Sequence, residues 1–154
     1  MKKVLSLLLV VLVFLSFTAC GASKEQNMKN ALGAADATVA RENQENQFYS
    51  ITSLYDETTD TYNISVCADV EYYKSVLLNN PDFKSEYFDM VLDVTLKNAD
   101  SKKEEISVIM ATLKALIAPM FESLELDTDV TLKYINIDGS EVKYWLWIWR
   151  NLFV

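Results

Sequence analysis

The hydrophobic pattern changes period twice along the chain, and that change limits the fold more than any other feature. From Phe48 to Val70 apolar residues alternate with polar ones: Tyr49, Ile51 and Tyr55, then Tyr62, Ile64, Val66 and Ala68. Period two is the signature of a half-buried strand. The polar run Asp56-Glu57-Thr58-Thr59-Asp60 divides this stretch and predicts a turn, so the two strands form a hairpin. From Ile106 to Met120 the spacing becomes three and four, through Ile109, Met110, Leu113, Leu116 and Ile117. That spacing lays one broad apolar stripe along a helix. Ser101-Lys102-Lys103-Glu104 ahead of it has the capping-box pattern, and Pro119 is expected to kink or restart the final turn. Alternation then returns from Val130 to Ile137 and from Val142 to Trp149, around the hairpin turn signal Asp138-Gly139.

Strands, helix and strands in this order predict an α+β fold, in which two β-hairpins form one antiparallel sheet packed on one or two helices. A two-residue loop at Asp138-Gly139 sets Ile137 against Ser140, Tyr134 against Lys143, Leu132 against Trp145 and Val130 against Trp147. A one-residue slip would put Lys133 opposite Lys143, which like-charge repulsion disfavours. The expected register lines up Val130, Leu132, Tyr134, Trp145, Trp147 and Trp149 on one face. It puts Ile135, Ile137, Val142, Tyr144, Leu146 and Ile148 on the other. One face must cover the helix, and the tryptophan face is either a second buried layer or a recognition surface.

Two segments are less regular. Asn80-Pro81-Asp82 reads as a helix entrance, with Asn as cap and Pro at the first helical position. The residues that follow, 83–97, fit helical spacing through Phe83, Tyr87, Met90, Val91 and Val94. They also alternate like a strand at Phe88, Met90, Leu92, Val94 and Leu96; the entrance signal and the Leu, Met and Lys content favour helix. Residues 21–46 carry few large apolar groups, with a thin helical stripe at Met28, Leu32, Ala35 and Val39. This composition suits either a tether with a weak helix or a helix docked on the domain.

The first twenty residues read as a processing segment. Lys2 and Lys3 precede an apolar run from Val4 to Phe17 interrupted only by serines. It is shorter than the roughly 20 residues that span a bilayer as a helix, and of the length of a cleaved signal core. Phe17-Thr18-Ala19-Cys20-Gly21 follows, and it resembles the lipobox of bacterial lipoproteins, with Phe17 standing where that family usually has Leu. The resemblance covers the leader only. It implies cleavage before Cys20, a lipid on Cys20, and a place on the extracytoplasmic face of a cell membrane. The expected organisation is a signal peptide over 1–19, a lipid-anchored tether and weak helix over 20–46, and a single α+β domain over 47–154.

Charge and residue usage narrow the function classes. Without Lys2 and Lys3 the chain has 12 basic residues against 22 acidic ones, a balance that opposes nucleic acid and anionic headgroups alike, so the domain is expected to project away from the bilayer rather than lie on it. There is no histidine, the commonest general base and transition-metal ligand. A lipidated Cys20 would leave Cys67 without an intramolecular disulfide partner, and a lone strand cysteine is most simply a packing residue. The acidic groups Asp56, Glu57 and Asp60, and again Asp127 and Asp129, lack the glycine-punctuated spacing of a calcium loop. Asn63-Ile64-Ser65 matches a glycosylation acceptor but reads here as strand. No catalytic set, metal site or cofactor is expected. The sequence points to a non-enzymatic binding or adaptor module engaging an envelope protein, peptide or small ligand, with Trp145, Trp147, Trp149 and Tyr134 as candidate contacts. The alternatives are a carboxylate-dependent hydrolase and a self-assembling envelope protein.

Overall fold

The computed structural model describes residues 23–81 and 87–142. Helix α1 (Lys24–Glu45) leads into strands β1 (Tyr49–Asp56) and β2 (Thr61–Ala68). Three helices follow, α2 (Val70–Leu78), α3 (Phe88–Asp100) and α4 (Lys103–Glu122), and then β3 (Asp129–Ile135) and β4 (Glu141–Val142). The four strands form one sheet in the order β1-β2-β3-β4. The fold is α+β, as the pattern predicts, and both hairpins are present.

The joint between the hairpins differs from the expected fully antiparallel sheet: β3 lies parallel to β2, Thr61 beside Asp129 and Val66 beside Tyr134. The cause is the length of the crossover. The chain leaves β2 at Ala68, and α4, 20 residues long, carries it back about 30 Å. It therefore re-enters the sheet at the end where β2 began, where the Asp129 N–H donates to the Asp60 carbonyl at 3.0 Å.

One face of the sheet makes the core. Tyr49, Ile51, Tyr62, Ile64, Val66, Val130 and Tyr134 meet Ile106, Met110, Leu113, Ile117 and Met120 of α4. The α4 stripe is the one the spacing predicts, with Ile109 and Leu116 at its margins. Pro119 does not break the helix, which ends in a Schellman arrangement. The Leu126 N–H donates to the Phe121 carbonyl and the Glu125 N–H to that of Glu122, both at 3.1 Å. Glu125 takes the left-handed conformation there, at φ 55°.

Helix α1 is docked on the same core through Ala31, Ala35 and Val39, with Met28 and Leu32 beside them. Alanines let the helix approach closely. Ser23 caps it by accepting the Gln26 N–H, and Asn43 holds its far end to β1 by hydrogen bonds to the Ile51 backbone. Of the two readings of residues 21–46, the docked helix holds over Lys24–Glu45.

Helix α2 begins where the pattern suggests that β2 continues to Val70; the Asp69 carboxylate accepts the Tyr72 N–H and caps it. The segment predicted between helix and strand is helix, from Phe88 rather than from Pro81, and residues 82–86 lie outside the described ones. The capping box does not form. Lys102 occupies the N-cap of α4 without a side-chain bond, and the Ser101 hydroxyl donates instead to the Asn98 carbonyl of the preceding helix.

The second hairpin is shifted by one residue from the expected register, with Tyr134 opposite Val142 and Ile135 opposite Glu141. Its loop has three residues, Ile137, Asp138 and Gly139, closed by the Asn136 N–H donating to the Ser140 carbonyl and completed by Gly139 at φ 82°. Two interactions favour this register. Ile137 packs against Ala68, Leu96 and Ala99, and its N–H donates to Asp100. Lys133 meets Glu141 at 3.5 Å, so the charge that repulsion was expected to place is balanced. Val142 accordingly packs on the core with Tyr134, not on the opposite face.

Candidate functional surfaces

Tyr134, a candidate binding residue from sequence, is a core residue: it is fully buried, edge-on to Tyr49, and its hydroxyl donates to Asp100 at 2.8 Å. The pattern recurs. The Tyr62 hydroxyl donates to Asp36 at 2.6 Å, tying β2 to α1, and the Tyr55 hydroxyl donates to Asp60 at 2.9 Å. Burial, and then the hydrogen bond to the carboxylate, push the Tyr62 and Tyr134 hydroxyls far above their ordinary value. Each of these two buried phenols, donating to a carboxylate on another element, ties that element to the sheet.

The acidic groups of the first turn and of the α4–β3 loop converge at one end of the sheet. Asp60 accepts from Tyr55 and also from the Thr128 hydroxyl at 2.8 Å. Asp56 accepts the Thr58 N–H and hydroxyl, which hold its carboxyl below the usual range. Among the described residues no three carboxylates or cysteines group so as to hold a metal ion.

Among the described residues the other face of the sheet carries no helix, and most of its side chains are polar. Ser50, Thr52, Asn63, Ser65, Cys67, Thr131 and Lys133 share it by strand alternation. Over its β1–β2 half lies an open cleft of about 550 Å³, lined by Thr52, Leu54, Asn63, Ser65 and Lys133 among others. Leu54 is the exposed apolar group there. Asn63, the would-be glycosylation acceptor, accepts the Thr131 hydroxyl at 2.8 Å across the β2–β3 joint. The Cys67 thiol is half-buried and sits 3.6 Å from the Ser50 carbonyl; burial raises its pKa and keeps it protonated.

Helices α2 and α3 form a second exposed surface. Only Leu96 and Ala99 of α3 are buried, against Ala68, and α2 buries none of its residues. Val76, Leu78, Tyr87, Met90 and Val94 stand exposed, Met90 at 62 %. A few scattered apolar groups are ordinary on a surface; here five fall within one helix pair and its N-cap. Helix α2 itself lies against Phe48, whose ring meets Tyr72 edge-on at 5.2 Å and has the Lys102 ammonium 5.9 Å away.

Trp145, Trp147, Trp149 and Cys20 lie outside the described residues. No helix among the described residues is long and apolar enough to cross a membrane. Comparison with protein families, with curated proteins and with solved structures finds no match. Sequence reasoning missed these exposed groups because two of the five come from α2, a helix whose N-cap, Asp69, is hidden in the alternating run. The polar sheet face had a signal in Ser50, Thr52, Asn63 and Ser65, the non-apolar half of the alternation.

Proposed function

We propose that this protein is an exported lipoprotein, cut before Cys20 and held by lipid on the extracytoplasmic face of a cell membrane. There its domain acts as a non-enzymatic binding or adaptor module for an envelope protein. The anchoring rests on the basic start, the short apolar core and the lipobox-like Phe17-Thr18-Ala19-Cys20. The binding role rests on one observation, the exposed apolar groups of α2, α3 and its N-cap, to which the aromatic segment Trp145, Trp147 and Trp149 adds candidate contacts.

Intact-mass and peptide analysis of the protein from its membrane tests the anchor: Cys20 as N-terminus with diacylglycerol supports it, and an uncut leader refutes it. Crosslinking in the native envelope tests the module. Met90→Asp with Val94→Asp, and separately Trp147→Ser, are expected to abolish the crosslinked product while leaving the circular dichroism unchanged. Undiminished crosslinking in all of them would remove the binding reading.

A further inference from the structure

The described part of β4 ends at Val142 and meets only the last residues of β3, Tyr134 opposite Val142 and Ile135 opposite Glu141. Residues 129–133 of β3 run on past it, bonded to β2 on one side. Alternation fixes where their other backbone groups point. The Asp129 N–H faces β2, where it meets the Asp60 carbonyl, and the Asn136 N–H faces the other way, toward Ser140. Val130 and Leu132 therefore turn their N–H and carbonyl groups away from β2, to the side on which β4 lies. Val130 is buried, and buried backbone groups are almost always paired. A chain that leaves Val142 antiparallel to β3 passes along this edge.

We propose that the occupant of this edge is the chain's own segment 143–147: β4 continues along β3, and its tryptophans stand on the face of the sheet that carries no described helix. Carrying the observed register on sets Tyr144 opposite Leu132, Trp145 opposite Thr131, Leu146 opposite Val130 and Trp147 opposite Asp129. Tyr144 and Leu146 then join the core face, where Val130, Leu132 and Val142 pack. Lys143 faces Lys133, a like-charge pair. Glu141 offsets it, because it shares that face, stands two residues from Lys143 and meets Lys133 at 3.5 Å.

The three-residue loop before Ser140 gives this pairing its consequence. A shift of one residue turns every side chain of a strand to the opposite face. A two-residue loop would set the indoles beside Tyr134, in the core. The observed register sets Trp145 and Trp147 instead beside Thr131 and Asn63, which are joined at 2.8 Å on the polar face. These tryptophans are thus an exposed recognition surface rather than a second buried layer. The inference deepens the binding reading by locating its aromatic contacts, while the pairing itself needs no partner.

The test uses the full chain in a Cys67→Ser background. Thr131 and Trp145 would face each other as a non-hydrogen-bonded pair, with Cα atoms about 4.5 Å apart, a separation that a disulfide spans. Thr131→Cys with Trp145→Cys, and separately Asp129→Cys with Trp147→Cys, are expected to form a bridge within one chain on mild oxidation, located by peptide mass spectrometry. Leu132→Cys with Trp145→Cys, the pair that a two-residue loop would align, is expected to stay reduced. All three tryptophans of the chain lie in its last segment, so acrylamide quenching of the unsubstituted folded protein should approach that of the urea-unfolded chain. No bridge in either pair of a variant with the parent's circular dichroism overturns the pairing, as does a bridge in the Leu132 pair. A bridge between two chains also overturns it, by placing a second copy at the edge. Indoles shielded from acrylamide overturn the exposed placement. Bridges formed as expected, in a protein that crosslinks to no partner, would sink the binding reading and leave the pairing standing.

Discussion

The Asn43 side-chain amide is paired in both directions with the backbone of Ile51: Nδ2 donates to the carbonyl at 2.6 Å and Oδ1 accepts the N–H at 2.7 Å. Ile51 is in β1, an outer strand of the sheet, and outward backbone groups on such a strand are a template for another chain. A side chain of α1 occupies the place of a further strand. Asn43→Ala is expected to cost about 1 to 3 kcal/mol and to raise concentration-dependent association. Urea unfolding followed beside light scattering measures both. A variant as stable and as monomeric as the parent would show that Asn43 does not protect the edge.

Tyr62 and Tyr134 each fasten a separate part of the chain to the sheet through an aspartate, Asp36 on α1 and Asp100 at the end of α3. Tyr134→Phe removes the hydroxyl while Asp100 keeps the Ile137 N–H at 3.1 Å. The expected loss is about 1.5 to 3 kcal/mol, the range for hydrogen bonds to charged groups. A double-mutant cycle with Asp100→Asn should show coupling between the two positions. Additive losses would mean that the hydroxyl and the carboxylate act independently.

The same two tyrosines are expected to make the fold sensitive to alkali. Both hydroxyls are raised above their ordinary value of 10.0, so the folded state holds these protons more tightly than the unfolded chain. Their contribution is complete below about pH 10 and is lost as pH rises beyond it toward the folded-state values. Tyrosinate absorbance followed with circular dichroism should show two of the eight tyrosines ionising only together with unfolding. Smooth ionisation of all tyrosines in a still-folded protein would contradict this.

Glu125 sits at φ 55° in the turn that ends α4, a conformation that costs a residue with a Cβ about 1 to 2 kcal/mol. Glycine adopts it freely but makes the unfolded chain more flexible, which takes back part of the gain. Glu125→Gly is therefore expected to stabilise the protein by roughly 0.5 to 1 kcal/mol. A lower melting temperature would show that the Glu125 side chain makes a compensating contribution.

Elements with an uninterrupted period were legible in the sequence. The stripe from Ile106 to Met120 gave α4, and the alternation at Tyr49–Tyr55 and Tyr62–Ala68 gave the first hairpin. What the pattern could not carry was competition between neighbours. Ser101 had the chemistry of an N-cap but was taken by the end of α3, and Ile137 belonged to the loop because Asp100 and the Ala68–Leu96–Ala99 cluster receive it there. The second hairpin's register turned on those long-range contacts, whereas the expectation weighed only a Lys–Lys clash within the hairpin. The tyrosine clamps were illegible for the same reason, since Asp36 and Tyr62 are joined only by the fold. Tyr134 looked like a recognition residue because an aromatic on an alternating strand carries no mark of which face is covered.

The parallel joint of β2 with β3 also imposes an order of assembly. The first hairpin can close with α1 beside it, but the rest of its apolar face remains wet until α4 has formed and β3 has been delivered beside β2. The centre of the sheet is thus expected to be its latest pairing, because the crossover separates β3 from β2 in sequence and contacts of that span are slow to close. Pulse-labelled hydrogen exchange should find the Tyr49–Ala68 hairpin protected before the Thr61–Asp129 seam, and a chain stopped before residue 129 should stay open along β2.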